Sequence, residues 1–227
     1  MRSFVILLAL LFIVPQPVAA RGGDGQEQEA SVVFWTMAKC IVERNPDEVR
    51  KLLAKSNWQV KDHSLARSLA QRSLDEYPLR EQPCGLFESL RFKTELFRGT
   101  LAGAMFVKFT NSKTLPNYGS IPSPVTSADL ASANDEATQL LLGLRAFSYC
   151  VFLNRPNDVR ALLVSRPFSQ AEHKLFDSLA TTFGGCLPAK EGTRMSFTHV
   201  RLRALLGEAA YYADLNFQSR TSTGTSQ

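Results

Sequence analysis

Residues Cys40 to Ala70 and Cys150 to Ala180 repeat one another at a constant offset of 110, with 11 of 31 positions identical. The shared residues are, in order, Cys, Pro, Val, Arg, two Leu, His, Leu, Ser, Leu and Ala. A register kept that long constrains the fold more than any other feature, because whatever unit the first stretch builds, the second builds again. After each copy's second cysteine the register resumes at an offset of 105, pairing Phe92 with Phe197, Arg98 with Arg203, Ala104 with Ala209 and Phe106 with Tyr211. Unequal loops account for the change: the first copy is eight residues longer before its second cysteine and three shorter after it.

The spacing within each copy is helical. Val33, Met37, Cys40 and Ile41 recur three and four apart, which predicts a first helix over about Ser31 to Arg44. Leu142, Ala146, Cys150 and Val151 predict its counterpart over Asp135 to Asn154. Asn45-Pro46-Asp47-Glu48 and Pro156-Asn157-Asp158 then put proline and acids where a new helix starts. A second helix follows, with Val49, Leu52 and Leu53, or Val159, Leu162 and Leu163, on its apolar face, so the pair should fold back as an αα-hairpin. Leu65, Leu69 and Ala70, with Leu175, Leu179 and Ala180, mark a third helix. Gly, Pro and Cys around Cys84 and over Gly184 to Pro188 predict turns. A fourth helix restarts near Gly85 and near Arg194.

The expected architecture is all-α, a tandem duplication of a disulfide-stapled four-helix unit with about eight helices. The first repeat covers 31–109 and the second 135–217. Residues 110–134, rich in Pro, Ser, Thr and Asn, read as a linker, either joining two loose lobes or strapped over a shared core. Residues 21–30 and 218–227 read as disordered tails.

Arg2, an eleven-residue apolar run from Phe4 to Val14 and the small residues Val18-Ala19-Ala20 read as a signal peptide, 1–20, cleaved after Ala20. The run falls short of the ~20 residues that span a bilayer. A mature chain of 207 residues would carry a formal charge of +4, since Arg2 is the one charged residue removed. Export to the periplasm or beyond places the cysteines where thiols are oxidised. If both copies fold alike, Cys40 joins Cys84 and Cys150 joins Cys186. Lys and Arg are scattered among Asp and Glu, which argues against nucleic acid. No later stretch is apolar enough for transmembrane insertion. The mild positive charge suits an envelope protein or an anionic envelope polymer as partner.

His63 and His173 fall at matching positions, preceded by Asp62 and Glu172. Two acid-His pairs meeting across a pseudo-twofold could bind a metal or act in proton transfer; alternatively each acid complements a helix N-terminus. His199 has no counterpart. Arg50 with Arg160, and Arg98 with Arg203, also recur, as ligand-binding forks or as partners of Glu48, Glu95, Asp158 or Glu208. Phe34, Trp35, Trp58, Phe168, Tyr211 and Tyr212 are read as core and rim in preference to a sugar-stacking platform. No Gly-x-Ser-x-Gly, His-Glu-x-x-His or Gly-rich phosphate loop occurs, and no cofactor is expected.

Two resemblances enter on specific residues. Glu88-Ser89 resembles the catalytic Glu-Ser pair of lytic transglycosylases, which implies a glutamate acting as general acid and base on peptidoglycan; the Gly-Leu-Met-Gln segment of that family is absent. The paired Cys…Asn-Pro-Asp-Glu-Val-Arg-x-Leu-Leu and Cys…Arg-Pro-Asn-Asp-Val-Arg-x-Leu-Leu blocks after a signal peptide resemble uncharacterised exported proteins of alphaproteobacteria. That second resemblance implies export and brings no activity. The expectation is a non-catalytic exported binding or scaffolding protein of the cell envelope, with the Glu88 enzyme or a His63/His173 metal binder as alternatives.

Overall fold

The computed structural model of the chain describes residues 23–55, 84, 94–187 and 197–223. The elements are α1 (Gly23–Arg44), α2 (Pro46–Lys55), α3 (Thr94–Thr110), a 3₁₀ turn (Tyr118–Ser120), α4 (Ser127–Ser132), α5 (Glu136–Asn154), α6 (Pro156–Val164), α7 (Gln170–Cys186) and α8 (His199–Thr223). The fold is all-α, with eight α-helices and no strand among the described residues.

Local chemistry sets the helix starts. Pro46 and Pro156 open α2 and α6, where an N–H would have no partner anyway. Asp135 caps α5 by accepting from the Thr138 N–H at 2.8 Å, and Ser169 caps α7 by accepting from the Glu172 N–H at 3.2 Å. Thr126 and Asp129 form a reciprocal capping box on α4. At the other end of α3, Arg160 of α6 donates to the carbonyls of Thr110 and Lys113 at 2.9 and 2.6 Å, a cation placed where the helix dipole is negative.

The core lies around α3 and α8, the most extensively packed pair. Their backbones touch. A Cβ on Gly99 would sit 2.4 Å from the Ala204 carbonyl oxygen, and one on Gly207 would sit 2.5 Å from that of Gly99. α1 and α2 pack on α3, α5 and α6 pack on α8 and on each other, and α7 packs on α5 and α6. Positions 110 apart are buried alike: Ile41 and Val151, Val49 and Val159, Leu52 and Leu162, Leu53 and Leu163 all lie in the core. Each such side chain contributes about 1.5–3 kcal/mol on leaving water. Two disulfides join Cys40 to Cys84 and Cys150 to Cys186. No helix among the described residues is long and apolar enough to cross a membrane.

The segment 110–134 is a strap over this core. Tyr118, Ile121 and Val125 are buried, and the Tyr118 ring meets Phe152 at 5.0 Å and Phe217 at 5.8 Å between centroids. Its phenol donates to Asp214 of α8 at 2.7 Å.

Three expectations need correction. Residues 21–30 are not wholly a tail, because α1 already starts at Gly23; extending an anchored helix through Gln26 to Ala30 avoids the cost of nucleation. Residues 218–227 are likewise entered by α8, which runs to Thr223; Gln218 donates to Asp214 at 2.6 Å and Phe217 packs on Tyr118, so the last turns are anchored. Gly184 and Gly185 do not end the third helix of the second copy. α7 passes through them to Cys186, which the disulfide holds against α5, and Phe183 meets Phe147 at 5.6 Å. The second bridge therefore ties helix to helix, where a helix-to-loop clamp was expected. Within 110–134, the strap reading accommodates the 3₁₀ turn and α4.

Candidate functional site

A groove of about 300 Å³ opens between α1, α3 and α6. The sequence makes it by placing small residues on α3, Gly103 and Ala104, opposite the large Trp35 of α1 and Leu163 of α6. Val42 and Val107 complete an apolar floor, and Val164 stands exposed on the rim. Charges ring it. Lys108 donates to Glu43 at 2.9 Å, and the Lys39 ammonium lies 4.5 Å from the centre of the Trp35 ring. The Trp35 indole N–H points to the Leu163 carbonyl at 3.4 Å.

Arg203 closes the groove from α8. Its guanidinium is buried and reaches Glu172 of α7 at 2.6 Å, the Leu163 carbonyl at 2.8 Å and the Ser165 carbonyl at 2.7 Å. Burial pushes this guanidinium below the ordinary arginine value, while the adjacent Glu172 carboxylate opposes that fall. Arg98, its counterpart at offset 105, pairs with Glu208 at 3.1 Å and donates to the Tyr212 phenol at 3.0 Å. Tyr212 in turn donates to the Leu53 carbonyl at 2.8 Å. The two arginines thus serve matching carbonyls, Leu163 directly and Leu53 through a phenol. Burial raises the Tyr212 hydroxyl above the usual tyrosine range, with Glu208 adding to the rise and Arg98 opposing it.

These partners differ from those that spacing along the chain offered. Arg98 takes Glu208 from the other half and Arg203 takes Glu172 from another helix, because α3 and α8 lie in backbone contact and bring acids across. Arg50 pairs on the surface with Asp47 at 2.6 Å, whereas Arg160 goes to carbonyls. Glu172 accepts from the Phe168 N–H at 2.5 Å as well as from Arg203, so one acid serves a helix start and an ion pair together.

His173 is exposed on the first turns of α7 and faces His199, which opens α8; their ring centroids are 5.3 Å apart. The recurrence that singled out His173 could not find His199, since the position 105 residues earlier is Thr94 and holds no histidine. The signal would have been its position at the start of the last helix, next to where the second copy's loop returns. Phe34, Tyr211 and Tyr212 are buried, while Trp35 and Phe168 are half-buried. His63, Trp58, Glu88 and Ser89 lie outside the described residues, as does the predicted leader 1–20. Among the described residues no three His, Cys, Asp or Glu side chains gather to hold a metal ion. No protein-family model, curated protein or solved structure matches the chain.

Proposed function

We propose that this chain is an exported helical binding protein of the cell envelope, taking an apolar stretch of a partner polypeptide into the groove between α1, α3 and α6. The groove carries this reading. Its floor is aliphatic and aromatic, its rim bears both signs of charge, and 300 Å³ suits one or two large side chains of a docked segment. The charges along it are committed to one another, Lys108 to Glu43 and Arg203 to Glu172, which favours recognition over proton transfer. Export is supported by the Arg2 to Ala20 leader pattern and by two disulfides, which persist where thiols are oxidised. Matched burial at positions 110 apart supports descent of the two halves from one duplicated unit.

A photo-crosslinking residue in place of Val164, on the exposed rim, tests the reading in the native envelope. The expected product is an adduct to a defined polypeptide, reduced at least tenfold when Trp35→Ala removes one wall. Adducts to glycan fragments would turn the assignment towards an enzyme acting on the envelope, and undiminished polypeptide capture by the Trp35→Ala protein would remove the groove from the account.

A further inference from the structure

The join between α7 and α8 places two imidazoles at a distance that suits a shared ion. His173 follows Glu172 on α7, and His199 opens α8 directly after Thr198, whose hydroxyl accepts from the Arg201 N–H at 3.3 Å. The ring centroids are 5.3 Å apart and the planes 60° from parallel. An ion bound to an imidazole nitrogen at about 2.1 Å lies about 3.2 Å from the ring centre, so two imidazoles sharing it at the tetrahedral angle have centres about 5.2 Å apart. Neither imidazole makes a hydrogen bond or ion pair with another side chain among the described residues. Among the described residues no side chain occupies their nitrogens.

The surroundings hold this pair in place. The His199 ring stacks on Phe176, with centroids 4.6 Å apart and planes 27° from parallel, and Phe168 lies 6.2 Å from it. Phe168 is the one non-glycine residue with positive φ among the described residues, at 58°. A bulky side chain in that region is strained and persists only where its surroundings enforce it. Here Glu172 enforces it by accepting from the Phe168 N–H at 2.5 Å, while Arg203 fixes Glu172 itself. One buried carboxylate thus sets an aromatic wall against His199 and carries His173 on the next residue.

We infer that His173 and His199 form a two-histidine site for a borderline divalent transition ion, Cu²⁺, Ni²⁺ or Zn²⁺. Imidazole suits these ions. With two protein ligands the remaining positions belong to solvent or an incoming donor, so the affinity is micromolar and the bound ion stays open to exchange. The site is separate from the groove and stands or falls independently of it.

The test uses the full-length mature protein, free of any affinity tag and stripped with chelator, titrated with Cu²⁺ by calorimetry and examined by electron paramagnetic resonance. One ion should bind at micromolar concentration with hyperfine structure from two nitrogens. His173→Ala, an exposed change that leaves the fold intact, should weaken binding at least tenfold. His199→Gln should do the same with its circular dichroism unchanged, and His63→Ala should leave affinity within twofold. Absence of binding at 100-fold excess, affinity that survives both His173→Ala and His199→Gln, or a fall caused by His63→Ala would each overturn the assignment.

Discussion

Replacing Arg203 by methionine removes a charge but leaves its counter-ion in place, and the structure sets the size of the effect. Glu172 is 1% exposed and would lose the guanidinium at 2.6 Å, while the carbonyls of Leu163 and Ser165 would lose donors at 2.8 and 2.7 Å. Breaking a buried pair from one side costs about 3–5 kcal/mol, because the remaining charge stays desolvated. For a domain of this size that corresponds to a fall in melting temperature of about 10–15 °C. Glu172→Gln leaves the Arg203 cation buried without a counter-charge and turns an amide NH2 onto either Arg203 or the Phe168 N–H, so its cost should also be about 3–5 kcal/mol. The double variant should be less destabilised than the two singles summed, by at least about 1.5 kcal/mol of coupling. Urea unfolding followed by circular dichroism, with disulfides intact, measures all three. A loss below about 1 kcal/mol for Arg203→Met would refute the reasoning, since a charge so enclosed cannot lose its partner at surface-pair cost.

The α3–α8 contact predicts an opposite pair of glycine effects. Gly207→Ala should destabilise by several kcal/mol, with its Cβ 2.5 Å from the Gly99 oxygen, whereas Gly143→Ala, with nothing within 4 Å, should stabilise by about 0.5–1 kcal/mol; thermal melts distinguish them. Cys150→Ser with Cys186→Ser opens a loop of 36 residues and should cost up to about 4 kcal/mol, read by denaturant unfolding against the parent. Alkaline titration followed at 295 nm should show Tyr118, Tyr149, Tyr211 and Tyr212 ionising late, because burial raises all four hydroxyls. Their unfolded-state value is about 10 and the folded value higher, so this contribution is whole below pH ~10 and is lost as pH rises beyond it. Tyr118→Phe, measured in the same unfolding assay, should cost about 1–3 kcal/mol by leaving Asp214 without the phenol.

Helix starts were legible in the sequence because they are local events. Pro46 and Pro156 cannot occupy a helix interior, and the acids after them suit a first turn. The cysteine pairing was legible for a different reason: the matching spacing of the two stretches offered one bridge within each, and the bridges join Cys40 to Cys84 and Cys150 to Cys186. What crossed between helices was not legible. Glu208 is ten residues before a polar tail by sequence, yet lies beside Arg98 because two glycines let α3 and α8 meet at backbone distance. The ends of α1, α7 and α8 were missed because propensity undervalues a helix whose far turn is held by packing, as Phe183 and Phe217 are. Of the candidate sites, His173 was visible through repetition. Its neighbour His199 became visible only once α8 had been placed against α7.

The Tyr118 clasp has a mechanical consequence. A connection of this length would ordinarily let two halves swing apart, but its mid-point is bolted to α8 through Asp214 and wedged between Phe152 and Phe217. The clasp fastens the strap to the second half, while α3 against α8 and Arg160 on the Thr110 carbonyl hold the first half to it, so cutting the peptide chain near Thr114 would leave the two pieces gripping each other.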